Sequence, residues 1–243
     1  MKIYDCTTFY SEHMMLEIRF NILNEFVHKF IVVESLYSHS GKKKKLNFDI
    51  NNYPKFKDKI IYLVIDKEPQ NLIRHDSNLK QHEKRINSLK RIDLSYDYMQ
   101  KGIEQASEED LIILSDNDEI PNLNAELFKK TNKNIIIFKQ LFFYYKFNLL
   151  YDRMSWFGSK ACKKKYLKSF SWLRHIKNKS YPFWRFDTYF SKLKNINLQI
   201  VDDGGWHFTN VKTPEELFIK MKNFGHHDEF DVSGLNIEDI RKK

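Results

Sequence analysis

Apolar positions along the chain fall into short runs divided by polar stretches, and the spacing inside each run changes with the element it implies. Lys2 to Cys6 is brief and bounded by polar residues, which predicts a first strand. Between Glu12 and Phe26, Met15, Ile18, Ile22 and Phe26 recur at intervals of three and four, the period of an amphipathic helix. On that reading Glu12, Glu17, Arg19 and Asn24 lie mostly off the apolar face. The run Lys29 to Glu34 is β-branched and nearly continuous in apolar residues, as in a strand covered on both sides. Strand, helix and strand in this order open a parallel α/β sheet.

The rest of the chain extends the pattern. Ser35 to Lys45 is a polar, basic loop of about a dozen residues, long enough to suspect a function. Ile60 to Ile65 predicts a third strand ending at Asp66. A polar helical stretch from about residue 77 to Ala106, broken once, leads to a fourth strand at Leu111 to Leu114. Beyond Pro121 come a short helix and a β-prone run from Asn134 to Tyr145. The aromatic residues from Phe142 to Phe190 read mostly as core, with some available as a stacking platform for a sugar ring. Asp203 to Phe208 reads as a turn entering a strand. Thr213, Pro214 and Glu216 supply an N-cap, a first-turn proline and a capping box for a following helix.

Neither repeats nor a Pro, Gly or Ser-rich linker divide the sequence, so residues 1–243 read as one domain. Composition narrows the chemistry. Only seven glycines occur, none in a G-x-G-x-x-G or P-loop pattern, so a bound nucleotide must have its phosphates held another way. Cys6 and Cys162 stand far apart, which argues against a disulfide framework or a zinc module. Lacking an apolar leader or an uncharged run of spanning length, the chain is expected to be cytoplasmic and without integral membrane association. A formal charge of +9 suits either nucleic acid or a small anionic substrate.

The most informative stretch is Leu111 to Pro121, where a buried strand delivers Asp116, Asp118 and Glu119 at its C-terminal end. Open α/β sheets place their ligands there. Three clustered carboxylates are costly unless a cation neutralises them, and Mn²⁺ or Mg²⁺ would hold a diphosphate without a glycine-rich loop. The competing reading is a turn and capping cluster. His207, beside Gly204 and Gly205, is either a satisfied core histidine or a third ligand. The lysines at 42–45 are either a solvated face or a mobile cover that attracts an anion, and Arg91 either pairs a diphosphate or holds a carboxylate. His226 to Glu229 reads as an exposed helix end.

Together, Tyr4-Asp5-Cys6, Glu12 with Leu16 to Arg19, Val33-Glu34-Ser35, His39-Ser40-Gly41, Leu114 to Pro121 and Gly204 to Phe208 resemble glycosyltransferase family 17. The two sharpest blocks, S-D-x-D-E-I-P and G-G-W-H-F, are specific in combination. The resemblance implies an α/β fold of the GT-A type, a Rossmann-like, mostly parallel mixed sheet flanked by helices. In it, residues up to about 121 form the nucleotide-sugar half and residues from about 122 the acceptor half. It implies Asp116, Asp118 and His207 at a divalent metal, Mn²⁺ or Mg²⁺. Thr8, Glu12, Glu34, His39, Gly41, Arg91 and Asn117 are then expected around the donor. The implied reaction is inverting transfer of a sugar, N-acetylglucosamine in this family, from a UDP-sugar to a hydroxyl of a glycan or glycoconjugate. The base candidates are Asp187, Asp203 and Glu119. No nucleic-acid partner is expected; the alternatives are a metal-dependent nucleotidyltransferase or nuclease using the same carboxylates, and a basic nucleic-acid-binding protein.

Overall fold

Nine strands and eight helices are defined over residues 1–75, 78–225 and 227–241, the residues described by the computed structural model. In chain order the strands are β1 (Ile3–Phe9), β2 (Lys29–Ser35), β3 (Ile60–Ile65), β4 (Leu111–Ser115), β5 (Glu119–Pro121), β6 (Ile135–Tyr144), β7 (Trp156–Lys163), β8 (Leu198–Val201) and β9 (Gly205–Thr209). The helices are α1 (His13–Leu23), α2 (Gln81–Asp97), α3 (Glu126–Lys130), α4 (Phe170–His175), α5 (Asp187–Phe190), α6 (Pro214–Met221), α7 (His227–Ser233) and α8 (Ile237–Arg241). This is a mixed α/β fold on a curled, mostly parallel sheet of order β3-β2-β1-β4-β7-β6-β9-β5, with β8 also paired to β6.

Strands β3, β2, β1 and β4 are parallel to one another, and β7 joins β4 in the antiparallel sense. Strand β1 is flanked by β2 on one side, with β3 beyond it, and by β4 on the other. The strand order therefore reverses at β1, which opens a crevice above the C-terminal ends of β1 and β4. Alternation along β2 explains why it reads as continuously apolar. Phe30 and Val32 pack with Phe20 and Leu23 of α1, while Ile31 and Val33 pack on the other face with Met99, Ile103 and Phe170. Helix α2 ends in a 3-10 turn, Tyr98–Ile103, which is the single break the sequence suggests; position 77, where that stretch was expected to start, lies outside the described residues.

The structure changes three expectations. The buried face of α1 is Met15, Leu16, Arg19, Phe20 and Leu23, whereas Ile22 is exposed. Spacing alone assigned Arg19 to solvent, but its guanidinium is buried because it is fully paired. Among the aromatics from Phe142 to Phe190, only Phe142 and Phe170 are buried, and Phe183, Trp184, Phe186, Tyr189 and Phe190 are exposed. Helix α7 begins with buried His227 and Asp228 instead of an exposed end; His226 lies outside the described residues. By contrast α6 forms as the sequence predicts, with the Thr213 hydroxyl accepting from Glu216 N and the Glu216 carboxylate closing the capping box. Both cysteines are buried free thiols, and burial pushes Cys162 up to about 12.

Candidate active site

The acidic stretch begins where β4 ends. Ser115 is still in the strand, and Glu119 N donates back to Asp116 O at 3.2 Å to close a tight turn into β5. This turn is fixed from beneath by Arg19. Its guanidinium donates to both oxygens of the Asp5 carboxylate, with the Nε contact at 2.7 Å, and to the main-chain oxygen of Glu119. Asp5 and Arg19 are each 1% exposed, so a fully buried ion pair on β1 and α1 holds the residue that follows Asp118.

The three carboxylates face different partners. Asp116 accepts from the Tyr96 hydroxyl and lies 3.4 Å from Arg174 Nη2. Burial raises its pKa, but Arg174 and the Tyr96 hydrogen bond outweigh burial and bring it below the usual carboxylate value. Asp118 lies 3.7 Å from Lys220 Nζ and 3.7 Å from His207 Nδ1. Glu119 accepts from Trp156 Nε1 at 2.8 Å and from Asp116 N at 3.1 Å. Burial and the neighbouring Asp116 and Asp118 push it up to about 8.

His207 enters on β9, which pairs with β5 so that His207 sits opposite Glu119. Approach of the two strands requires the glycines before it. Gly205 has φ +106°, and a side chain there would strike Ile120 O. The imidazole stacks against both Phe142 (4.9 Å, 13°) and Trp156 (4.2 Å, 25°), whose own rings lie 5.5 Å apart, and burial lowers its pKa. Its Nδ1 is buried without a hydrogen-bond partner, between Asp118 and Glu119. A neutral imidazole nitrogen aimed at a carboxylate is a donor set that suits a divalent cation. Among the described residues, no group of three His, Cys, Asp or Glu side chains forms a ready-made metal cage. The set therefore fits an ion that takes one or two protein ligands and completes its shell with phosphate and water. Asp116, expected as a third ligand, is engaged by Tyr96 and Arg174.

Two cavities meet at this turn. The larger, about 350 Å³, lies in the crevice above β1 and β4 and is lined by Thr8, Glu12, His39, Asn117 and Asp118 of the sequence-derived set. Its far wall comes from Lys220 to Gly225, so it draws on both halves of the chain. The smaller, about 170 Å³, is lined by Glu119, Trp156, Gly158, Lys160 and Asn178. Asp116 and Arg174 line both and form the partition between them. Within the larger cavity burial holds His39 down to about 4, so its ring is neutral at pH 7. Burial raises Glu12, but Lys212 at 3.2 Å, the Ser11 amide and Lys220 more than offset this, keeping it ionised.

Other expected residues are built into the walls or lie elsewhere. Glu34 is fully buried and accepts from Lys44, Asn47 N (2.8 Å), Phe48 N (3.0 Å) and Tyr62 Oη (2.8 Å). It therefore anchors the basic loop, which is tied down by Lys44 and by a Tyr37–Lys43 bridge; Lys44 is the lysine of that run on the cavity wall. Arg91 holds the Glu68 carboxylate (Nε 2.8 Å) and reaches His39 O at 3.3 Å. Gly41, with φ +89°, lies against that guanidinium: a Cβ would come within 2.5 Å of Arg91 Nη2. Of the base candidates, Glu119 faces a cavity. Asp187 is clamped by Arg185 and Lys194, whose hydrogen bonds hold it down to about 2, and Asp203 is bound to Asn122 Nδ2 at 3.0 Å.

Sequence reading missed Arg174, Tyr96 and Lys220. Arg174 rides on α4, whose Ser169 cap and buried Phe170 and Leu173 fix its direction. It lies over the Tyr96 ring at 4.8 Å, and its Nε is buried and unpartnered. No local pattern marks it, since its partner Asp116 is 58 residues earlier in the chain. Lys220 was placeable two turns into the capped α6, but its meeting with Asp118 depends on the tertiary fold.

The family model described as Glycosyltransferase family 17 matches residues 1–178, which contain the acidic turn, both walls of the partition and the smaller cavity. No curated protein matches the chain. Among solved structures, HddC from Yersinia pseudotuberculosis aligns at 9% identity over 83% of this chain and 91% of its own, with a TM-score of 0.37. The inositol-1-phosphate CTP transferase from T. maritima aligns at 13% identity over 91% and 96%, with a TM-score of 0.40. Similarity at that level carries no argument about fold or substrate.

Proposed function

Because the chain belongs to glycosyltransferase family 17, we propose that the larger cavity takes a nucleoside-diphosphate sugar and that the acceptor hydroxyl approaches through the smaller one. The observation that carries this reading is the partition. Asp116 and Arg174 line both cavities, so a bond broken at that wall is reachable from either side. The overall architecture is then of the GT-A type, the donor a UDP-sugar and the transferred group N-acetylglucosamine, as in the family.

Asp118 and His207 would hold Mn²⁺ or Mg²⁺, which when bound supplies positive charge to the departing diphosphate. Arg174 adds a fixed cation beside it, where negative charge develops as the sugar leaves. Lys220 does the same from α6, 3.7 Å from Asp118. Glu119, on the smaller cavity, takes the acceptor proton in its ionised form, which predominates above about pH 8, as the hydroxyl attacks the anomeric carbon from the side opposite the diphosphate, which inverts that centre. Glu12, His39 and Asn117 shape the nucleotide end. Localisation in the cytoplasm is part of the same reading.

The experiment is a panel of UDP-sugars incubated with the protein, with Mn²⁺ or with chelator, with UDP release measured beside an Asp118→Asn variant. Metal-dependent release by the wild type that the variant loses supports the reading. Cleavage of nucleic acid or nucleotide transfer, with no release from any UDP-sugar, overturns it.

A further inference from the structure

Residues 177–194 hold the largest group of exposed rings in the molecule that the transfer chemistry leaves unused. Phe183, Trp184, Phe186, Tyr189 and Phe190 are 61–89% exposed within eight residues. The segment is not loose. Lys177 N donates to Leu193 O at 2.9 Å, Ser180 bridges Asn195, and Trp172 Nε1 donates to Lys192 O at 2.7 Å, so its neck is stitched to the body of the protein. Inside it, buried Thr188 donates to Arg185 O at 2.6 Å and Tyr189 Oη to Phe183 O at 3.0 Å. The rings are thus presented outward on a braced platform that includes α5.

Charge says what covers them. The segment carries Lys177, Lys179, Arg185, Lys192 and Lys194 against a single acid, Asp187, which Arg185 (2.7 Å) and Lys194 already neutralise. Tyr, Trp and Phe flanked by Lys and Arg is the combination that seats at a lipid headgroup boundary, rings in the acyl edge and cations on anionic headgroups. A second copy of this chain is disfavoured, because apposing the patch with itself would face these cations with one another, in a protein of net charge +9. Phe183 and Trp184 meet edge to face, with ring centroids 5.1 Å apart.

We propose that this segment is an interfacial anchor that docks the protein on an anionic lipid bilayer. Among the described residues no helix is long and apolar enough to cross a membrane, so the association is peripheral. The neck of the anchor, Asn178, lines the smaller cavity. A second apolar stretch, with Phe147, Leu149, Leu150 and Met154 exposed, ends at Trp156 on the same cavity. Docking brings that cavity toward the lipid surface, where it would meet a lipid-borne acceptor; this last link rests on the transfer reading, whereas the docking does not.

The test is co-sedimentation of the full chain with vesicles of phosphatidylcholine alone or mixed with phosphatidylglycerol. The protein pellets with the mixed vesicles and stays in solution with phosphatidylcholine alone. The triple variant Phe183→Ser, Trp184→Ser, Phe186→Ser binds the mixed vesicles at least about tenfold more weakly, as expected when even one ring's apolar area is withdrawn from the hydrocarbon boundary. Unchanged circular dichroism and thermal midpoint establish that the variant is folded. Mixed vesicles also shift the tryptophan emission of the wild type to the blue by more than that of Trp184→Phe. Failure of the wild type to pellet with mixed vesicles overturns the proposal, as does undiminished pelleting of the triple variant. A dimer in light scattering that the triple variant converts to monomer also overturns it and assigns the face to a second copy.

Discussion

Replacing Arg19 by Met tests whether the acidic turn is held from inside the protein. Arg19 and Asp5 are each 1% exposed, and the guanidinium also caps the main-chain oxygen of Glu119. Removing the cation leaves an uncompensated buried carboxylate, which costs about 3–5 kcal/mol. For a chain of this size each kcal/mol lowers the midpoint by roughly 2–4 °C, so Arg19→Met is expected to melt some 6–20 °C below the wild type. Adding Asp5→Leu removes the stranded charge and recovers part of the loss. The remainder is the unpaired Glu119 carbonyl, worth about 1–3 kcal/mol. Urea unfolding of the wild type, both single variants and the double closes a cycle, and the expected coupling energy is at least about 2 kcal/mol. A loss below about 1 kcal/mol for Arg19→Met, or single losses that simply add in the double variant, refutes the claim that this pair braces the turn.

Four further outcomes follow from the same geometry. Arg174→Gln lowers kcat about 10²–10³-fold with the thermal midpoint little changed, as loss of a fixed charge beside the leaving group requires; a lower midpoint with normal kcat would make Arg174 structural. His207→Phe preserves ring contact with Phe142 and Trp156 but removes the orphan Nδ1. It raises the Mn²⁺ concentration for half-maximal activity by about tenfold or more without lowering the midpoint, and an unchanged metal requirement counts against His207 as a ligand. Gly41→Ala meets both a φ of +89° and the Arg91 guanidinium, and costs about 1–3 kcal/mol by urea unfolding; a neutral substitution would contradict the placement of that loop. His39 has its folded pKa lowered to about 4 from 6.5, so the unfolded chain binds more protons between those values and stability falls as pH drops through that window. His39→Gln flattens that part of the stability profile, and an unaltered profile shows that the ring is not buried neutral.

Much of the sheet was legible because its strands are covered on both faces and read as apolar runs, as at Phe30 to Val33 and Leu111 to Leu114. The capped start of α6 was legible because Thr213, Pro214 and Glu216 act locally. What failed depended on distance along the chain. Arg19 looks like a solvent-facing charge until Asp5 and Glu119 are brought against it, and Arg174 acquires its meaning from Asp116. Glu34 and Arg91 carry the residue types of a ligand site, but their charges are spent on the basic loop and on Glu68. The aromatics after Phe142 misled for a different reason: composition counts rings, and only the fold shows which have neighbours to pack against. The acidic turn itself stood out because three carboxylates directly after a buried strand are a local anomaly that packing does not explain.

The central claim is that the larger cavity holds a nucleoside diphosphate through a cation on Asp118 and His207. Titration calorimetry of UDP into the protein measures this directly. Binding with Mn²⁺ present, abolished by chelator and lost in Asp118→Asn, is the predicted result. UDP binding that ignores both the ion and the substitution, or absence of UDP binding alongside salt-sensitive binding of DNA, would contradict the account.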